Sequence, residues 1–160
     1  METRYDVAAS NLFRGLTAIE CDPFVALALE RTVGKGDYLF RLGEKAESLF
    51  IVLSGVVQLT MPLAMKSGDR EVVVEEAHPG DTVAWSALIE PYHCTMSARA
   101  GTDVDLLVFP PRALEAALAA NSDAGLRVVT NLAKVIARRL QVTHAMWTRE
   151  LQRVVIETFG

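Results

Sequence analysis

Hydrophobic and polar positions change rhythm twice along the chain. From Asn11 to Arg31, the residues Leu12, Phe13, Leu16, Ile19, Phe24, Val25, Leu27 and Leu29 fall at spacings that suit short helical turns. Asp22-Pro23 interrupts them and predicts a helix start with Asp22 as cap and Pro23 at the first position. From Val33 to Phe109 the pattern becomes short apolar runs punctuated by Gly34, Gly36, Gly43, Gly55, Gly68, Gly80 and Gly101, as in short strands joined by tight turns. Val57, Leu59 and Met61 alternate with Gln58 and Thr60, and Cys94, Met96, Ala98 and Ala100 alternate with Thr95, Ser97 and Arg99. A period of two places one face of each strand in a core. Many short strands within about 75 residues favour a closed double sheet, because closure removes exposed edges.

The second change follows Pro110-Pro111. Nine of the ten glycines and all six prolines lie at or before Gly125, and the remainder is rich in helix formers. Arg112 to Ala120 predicts one short helix, and Asn121-Ser122-Asp123 a break with capping oxygens. Val128, Leu132, Val135, Ile136, Leu140, Met146, Trp147, Leu151, Val154 and Val155 then recur mainly at steps of three and four. About 30 to 35 residues of continuous helix, roughly 50 Å, are expected. One small β-roll cannot cover such a helix, so its outer half is expected to pack on a second copy, with Leu132, Ile136, Leu140, Trp147 and Leu151 in the seam.

The expected architecture is mainly β with flanking α: a double-stranded β-helix, or jelly roll, with short N-terminal helices and a long C-terminal helix. Its parts are a helical segment at 1–32, a β-roll at 33–109, and a hinge plus dimerisation helix at 110–160, all one domain without a helix-turn-helix unit. With 160 residues, 51% hydrophobic and 22% charged, two full domains do not fit comfortably. A net charge of -4 provides no general field for nucleic acid. Residues 123–160 hold six basic side chains against three acidic ones, which gives +3 there and -7 elsewhere. A solvated helix flank, or a surface that pairs with the acidic β-roll of a partner chain, is expected there before a nucleic-acid stripe, and direct sequence-specific DNA binding is not expected. Cys21 and Cys94 are too few for a disulfide framework, no apolar run reaches the roughly 18 residues of a membrane span, and a cytoplasmic chain is expected.

The ordered pieces Gly36-Asp37-Tyr38-Leu39-Phe40, Gly43 through Gly55 (GEKAESLFIVLSG) and Pro79-Gly80-Asp81 carry a resemblance. Over roughly residues 12–155 the chain resembles the cyclic nucleotide-binding domain family, known from catabolite activator-type regulators, kinase regulatory subunits and gated channels. The resemblance implies that a short helix and loop after the Pro-Gly-Asp turn grip the ligand, a glutamate holding the ribose and an arginine the cyclic phosphate. Laid on that pattern, Ala84 and Trp85 stand at the Gly-Glu positions, and Cys94, or His93 if the loop lengths shift, stands at the arginine. Ala87-Leu88 match the small and apolar pair of the short helix, Ser86 lies between, and Thr95 matches the hydroxyl residue after the arginine.

A charge-assisted contact of the missing kind is worth about 1.5–3 kcal/mol, so tight cyclic nucleotide binding through the family's usual groups is not expected. Trp85 is read first as packing, with stacking on a ligand as the alternative. His93 offers a pH-dependent phosphate contact as a lesser reading, and Cys94 a buried thiol before a reactive one. His78, His93 and His144 show no metal-ligand spacing, and nucleophile and phosphate-loop motifs are missing, so no catalytic residue, metal or cofactor is expected. A single-domain regulatory sensor is expected, homodimeric, acting through a separate effector protein. Its ligand is another small molecule or a weakly held cyclic nucleotide. The alternatives are a ligand-free dimeric scaffold and a transcription regulator without its DNA-binding domain.

Overall fold

The computed structural model describes residues 6–160. A 3-10 turn at Val7–Ala9 leads to helix α1 (Ala18–Val25). Strands β1 (Leu29–Val33), β2 (Tyr38–Phe40), β3 (Leu49–Ser54), β4 (Val57–Met65), β5 (Gly68–Ala77) and β6 (Thr82–Val83) follow. A second 3-10 turn, Trp85–Ala87, precedes β7 (Ser97–Ala100), β8 (Val104–Phe109), α2 (Pro111–Ala120) and α3 (Ser122–Phe159). The strands form two antiparallel sheets, ordered β1-β8-β3-β6 and β2-β7-β4-β5, which is the expected jelly-roll class with flanking helices.

One sheet is covered on both faces, which explains the unbroken apolar run Leu49-Phe50-Ile51-Val52. Phe50 and Val52 pack between the sheets with Val57, Leu59, Val83, Ala98 and Leu106. Leu49 and Ile51 face the other way, into a helical layer of Leu12, Phe13, Phe24, Leu114, Val128 and Leu132. Strands buried on both faces lose the alternation that marks half-buried ones. Gly55 closes the β3–β4 turn at φ +80, where an added Cβ would press into the Asp103 carbonyl.

Four local expectations change. Helix α1 starts at Ala18, capped by Thr17: the Thr17 hydroxyl accepts from the Glu20 amide while Glu20 accepts from the Thr17 amide. This reciprocal pair satisfies two free amides and outweighs the Asp22-Pro23 signal, leaving Pro23 inside the helix. Sheet structure begins at Leu29, so Leu29–Arg31 are strand residues paired with β8. Met61 is 37% exposed because the β4–β5 hairpin runs past the end of β7, whose last pairing is Ser97 with Thr60. Between α2 and α3, the Asn121 amide group donates to the Ala117 carbonyl, so the break ends one helix and supplies no oxygen cap to the next.

Helix α3 has 38 residues, about 57 Å at 1.5 Å each. Its first third is fastened to the domain. Gly125 lets it cross close over Leu118, and buried Asn131 donates to the carbonyls of Leu12 and Arg14, both at 2.9 Å. Leu132 is 4% exposed and Ile136 packs beside it in the chain's own core. Leu132 therefore leaves the expected seam, while Leu126 and Val129 are exposed near the start of α3 and the longer exposed apolar stretch runs from Leu140 through Met146, Trp147, Leu151, Val154, Val155, Ile156 and Phe159.

Candidate ligand-binding site

The Pro-Gly-Asp turn is held from three sides. Gly80 donates to the Val52 carbonyl (2.8 Å), Val52 donates back to Asp81 (3.0 Å), and the Asn11 amide donates to Gly80 (2.9 Å). An Asp81 carboxylate oxygen accepts from the His78 amide at 2.9 Å, closing the turn on itself. The chain leaving this anchor reaches Ala84, which takes a left-handed conformation (φ 67, ψ 45) before the Trp85–Ala87 turn. That conformation costs an L-residue roughly 1 kcal/mol and is one that glycine adopts freely.

Between β1, β2, β3 and the segment Glu44–Ser48 lies a cavity of about 130 Å³. Leu39, Phe40, Phe50, Ala84 and Cys94 form its apolar wall, and Phe40 and Phe50 stack with ring centroids 6.1 Å apart. Arg31, Glu44, Lys45, Glu47 and Ser48 complete the lining. Cys94 and Met96 lie in the loop before β7, which begins at Ser97 and not at Cys94 as the alternation predicts, and the segment is stitched to that loop by Cys94 N–H to the Glu44 carbonyl and Gly43 N–H to the Cys94 carbonyl, both 2.8 Å. Burial pushes the Cys94 thiol above its ordinary pKa, and the Glu44 carboxylate adds to the rise. At neutral pH the group is a neutral thiol, a weak nucleophile.

A second, open groove of about 590 Å³ lies on the far side of the same segment, lined by Lys45, Ala46, Glu47, Ala87, Tyr92 and the hinge residues Pro110–Arg112. Of the residues singled out from sequence, Ala84 and Cys94 meet at the roll cavity and Ala87 borders the groove. Trp85 is half-buried and packs with Leu88 against the helical layer, outside the cavity lining. Ser86 is buried and Thr95 exposed. His93 is exposed, bridged to Lys45, and its Nδ1 lies 2.7 Å from the Pro91 carbonyl. Sequence reading missed Arg31, Leu39, Phe40, Lys45 and Phe50. The phase of Arg31 with buried Val33 was the available signal, but it acquires meaning only once β1 is paired.

Among the described residues, no group of three or more His, Cys, Asp or Glu side chains gathers as a metal site, and no helix is long and apolar enough to cross a membrane.

The family model of the cyclic nucleotide-binding domain matches residues 30–121, which include the strands and the turn just described. The chain is 34% identical over 116 residues to patatin-like phospholipase domain-containing protein 6 of Pongo abelii, covering 68% of this chain and 8% of that protein. Among solved structures it is similar to a cyclic nucleotide-binding protein from Geobacter metallireducens (27% identity, TM-score 0.66, 88% of this chain and 99% of that one). It is also similar to the catabolite activator protein of Thermus thermophilus (27% identity, TM-score 0.72, 90% and 63%). With the matched segment spanning more than half of its residues, this chain belongs to the cyclic nucleotide-binding domain family, whose domains are typically regulatory.

Proposed function

We propose that this protein is a small-molecule sensor whose β-roll cavity, when occupied, shifts the hinge at Pro110–Asp123 and so the long helix α3. The observation that carries this reading is that two short segments each border both spaces. Ala84 lines the cavity and Ala87 the hinge groove, while Lys45, Ala46 and Glu47 line both. A ligand pressing on either segment therefore displaces groups that line the same groove as Pro110–Arg112, and a two-state hinge responds to such a change in its surroundings. Cyclic AMP and cyclic GMP bind weakly in this reading, no tighter than roughly tens of micromolar, because Cys94 brings a neutral thiol to the phosphate position and Trp85 is engaged in packing.

The same reading has the protein work as a homodimer through α3, with a separate effector protein as its output. Support comes from Leu140 (54% exposed), Trp147 (64%), Leu151 (55%) and Val154 (53%), which recur at steps of seven and of four and three, the rhythm of a helix-to-helix seam. A thermal-shift screen that includes both cyclic nucleotides tests the sensor. A ligand at 100 times its Kd adds about 2.7 kcal/mol of stability, and hydrogen exchange at Arg112–Asn121 changes with it. A ligand that raises stability without altering exchange there refutes the hinge. A screen and native mass spectrometry that find no ligand favour the dimeric scaffold, for which the same apolar face of α3 is the support.

A further inference from the structure

We propose that the roll cavity takes a small organic carboxylate, whose anionic group is held by Arg31. The inference rests on the sensor reading and names the chemistry of its ligand. Arg31 on β1 sits directly opposite Leu106 on β8, and Leu106 is fully buried between the two sheets. Residues opposite one another in an antiparallel pair share a face, so Arg31 shares the inward face with Leu106 and, two positions on, with buried Val33. The neighbouring Thr32 is turned outward, where its hydroxyl donates to Asp105 at 2.7 Å. Among the described residues no carboxylate lies within ion-pair distance of the Arg31 guanidinium.

The other charges on the cavity lie at its rim. Ala46 is 6% exposed and turned to the core, which leaves its neighbours Lys45 and Glu47 outward and exposed. The Glu44 carboxylate is engaged by the Arg41 amide at 3.1 Å. Cys94 is a neutral thiol and does not repel an anion. Arg31, exposed at the edge of a space walled by Leu39, Phe40, Phe50 and Cys94, offers the two-pronged donor that matches a carboxylate on an apolar body, with Lys45 offsetting one of the rim carboxylates Glu44 and Glu47. Size narrows the class further. At about 130 Å³ the cavity is well below the roughly 300–1,000 Å³ of ordinary cofactor and drug sites, and near the ~150 Å³ that holds one benzene ring. A whole nucleotide does not fit in this state. An aromatic or branched acid fits with its ring or chain against the wall of Leu39, Phe40 and Phe50 and its carboxylate at Arg31.

Benzoate, its neutral isostere benzamide, inorganic phosphate and cyclic AMP are the probes, titrated by calorimetry into the full chain and into Arg31→Gln. Benzoate is expected to bind at least about tenfold more tightly than benzamide or phosphate, and Arg31→Gln to lower its affinity to the benzamide level. Arg31→Lys is expected to recover part of the loss, and Arg127→Gln, on the far helix, none of the effect. The thermal midpoints of the variants report folding, and Arg31, at the mouth and free of ion pairs among the described residues, is expected to leave them unchanged. Equal benzoate affinity in the parent and in Arg31→Gln overturns the assignment to Arg31. Phosphate binding as tightly as benzoate overturns the apolar body. Binding of cyclic AMP with none of benzoate overturns this inference and leaves the sensor standing, whereas a chain that binds no ligand in any screen removes both.

Discussion

Arg139 on α3 lies 2.8 Å from Glu75 on β5, Nε to Oε2, with only 16% and 19% of the two side chains exposed. It ties the middle of the long helix to the root of the β4–β5 hairpin, beside Asp81 of the Pro-Gly-Asp turn. Burial lowers the Arg139 pKa, and the charges of Glu75 and Asp81 oppose that shift, so the guanidinium needs these carboxylates to stay where it is. Neither paired atom has an aligned hydrogen bond, so the attraction is mainly charge on charge.

Removing one partner is therefore expected to cost more than removing both. Glu75→Ala leaves a largely buried guanidinium with its nearest counter-charge gone, and should lower unfolding stability by about 2–4 kcal/mol in urea titrations. The double change Glu75→Leu with Arg139→Met should recover most of that loss. Equal destabilisation by the single and double variants would show that the pair contributes by shape alone.

Acid should loosen β1 and α1 for a separate reason. The Asp105 carboxylate is held below its ordinary pKa by the Thr32 and Ser54 hydroxyls, and Glu20 below its own by the Thr17 amide. A depressed carboxylate pKa means stabilisation that is complete above the unfolded value, near 4, and lost as pH falls through the lower folded value. The melting temperatures of the parent and of Asp105→Asn should thus differ at pH 7 and converge below about pH 4. A gap unchanged across that range would sink the linkage.

The assembly prediction follows the exposed stripe. Leu140→Glu together with Leu151→Glu places charge where a second helix is expected, and should turn a particle of twice the chain mass into a monomer by sedimentation with little change in fold. Leu132→Ala should do the opposite: it empties a site in the chain's own core and costs about 2–5 kcal/mol while leaving any dimer seam intact. A monomeric parent chain would refute the dimer.

The particular residues show what a sequence makes visible. Glycine spacing and the alternation of Val57 and Leu59 report the β-roll, because turn chemistry and a half-buried strand are local. Thr17 with Glu20 was equally local, yet the proline beside Asp22 drew the helix start away from it. Leu132 and Leu140 look alike in the helical pattern. What separates them is how far the β-roll reaches along α3, a tertiary fact. The cavity was the least legible part, since Arg31 and Cys94 are more than sixty positions apart and meet at one cavity only because the two sheets and the loop before β7 close on each other. Motif alignment pointed to the turn at Trp85, and only the packed structure turns Trp85 toward the helices.

Cys94 is accordingly the position at which the family's chemistry can be reintroduced. It lines the roll cavity, as the family's phosphate arginine is expected to, whereas Trp85→Glu would put a carboxylate into a packed apolar layer. Cys94→Arg adds a guanidinium beside Glu44, whose charge already reaches the Cys94 sulfur and offers a partial counter-ion. Two costs oppose it. The larger side chain overfills a cavity of about 130 Å³, and a partly buried charge awaits its ligand, together about 1–3 kcal/mol of stability. If the loop that carries Cys94 into β7 has kept the family's backbone path, cyclic AMP affinity should rise at least tenfold, about 1.4 kcal/mol, in calorimetry on the folded variant. The same change should abolish benzoate binding, because the new side chain fills the cavity that Cys94 shares with Phe40 and Phe50. A folded Cys94→Arg with neither effect would mean that position 94 points away from the ligand, and that the cavity is read by β1 and β2 alone.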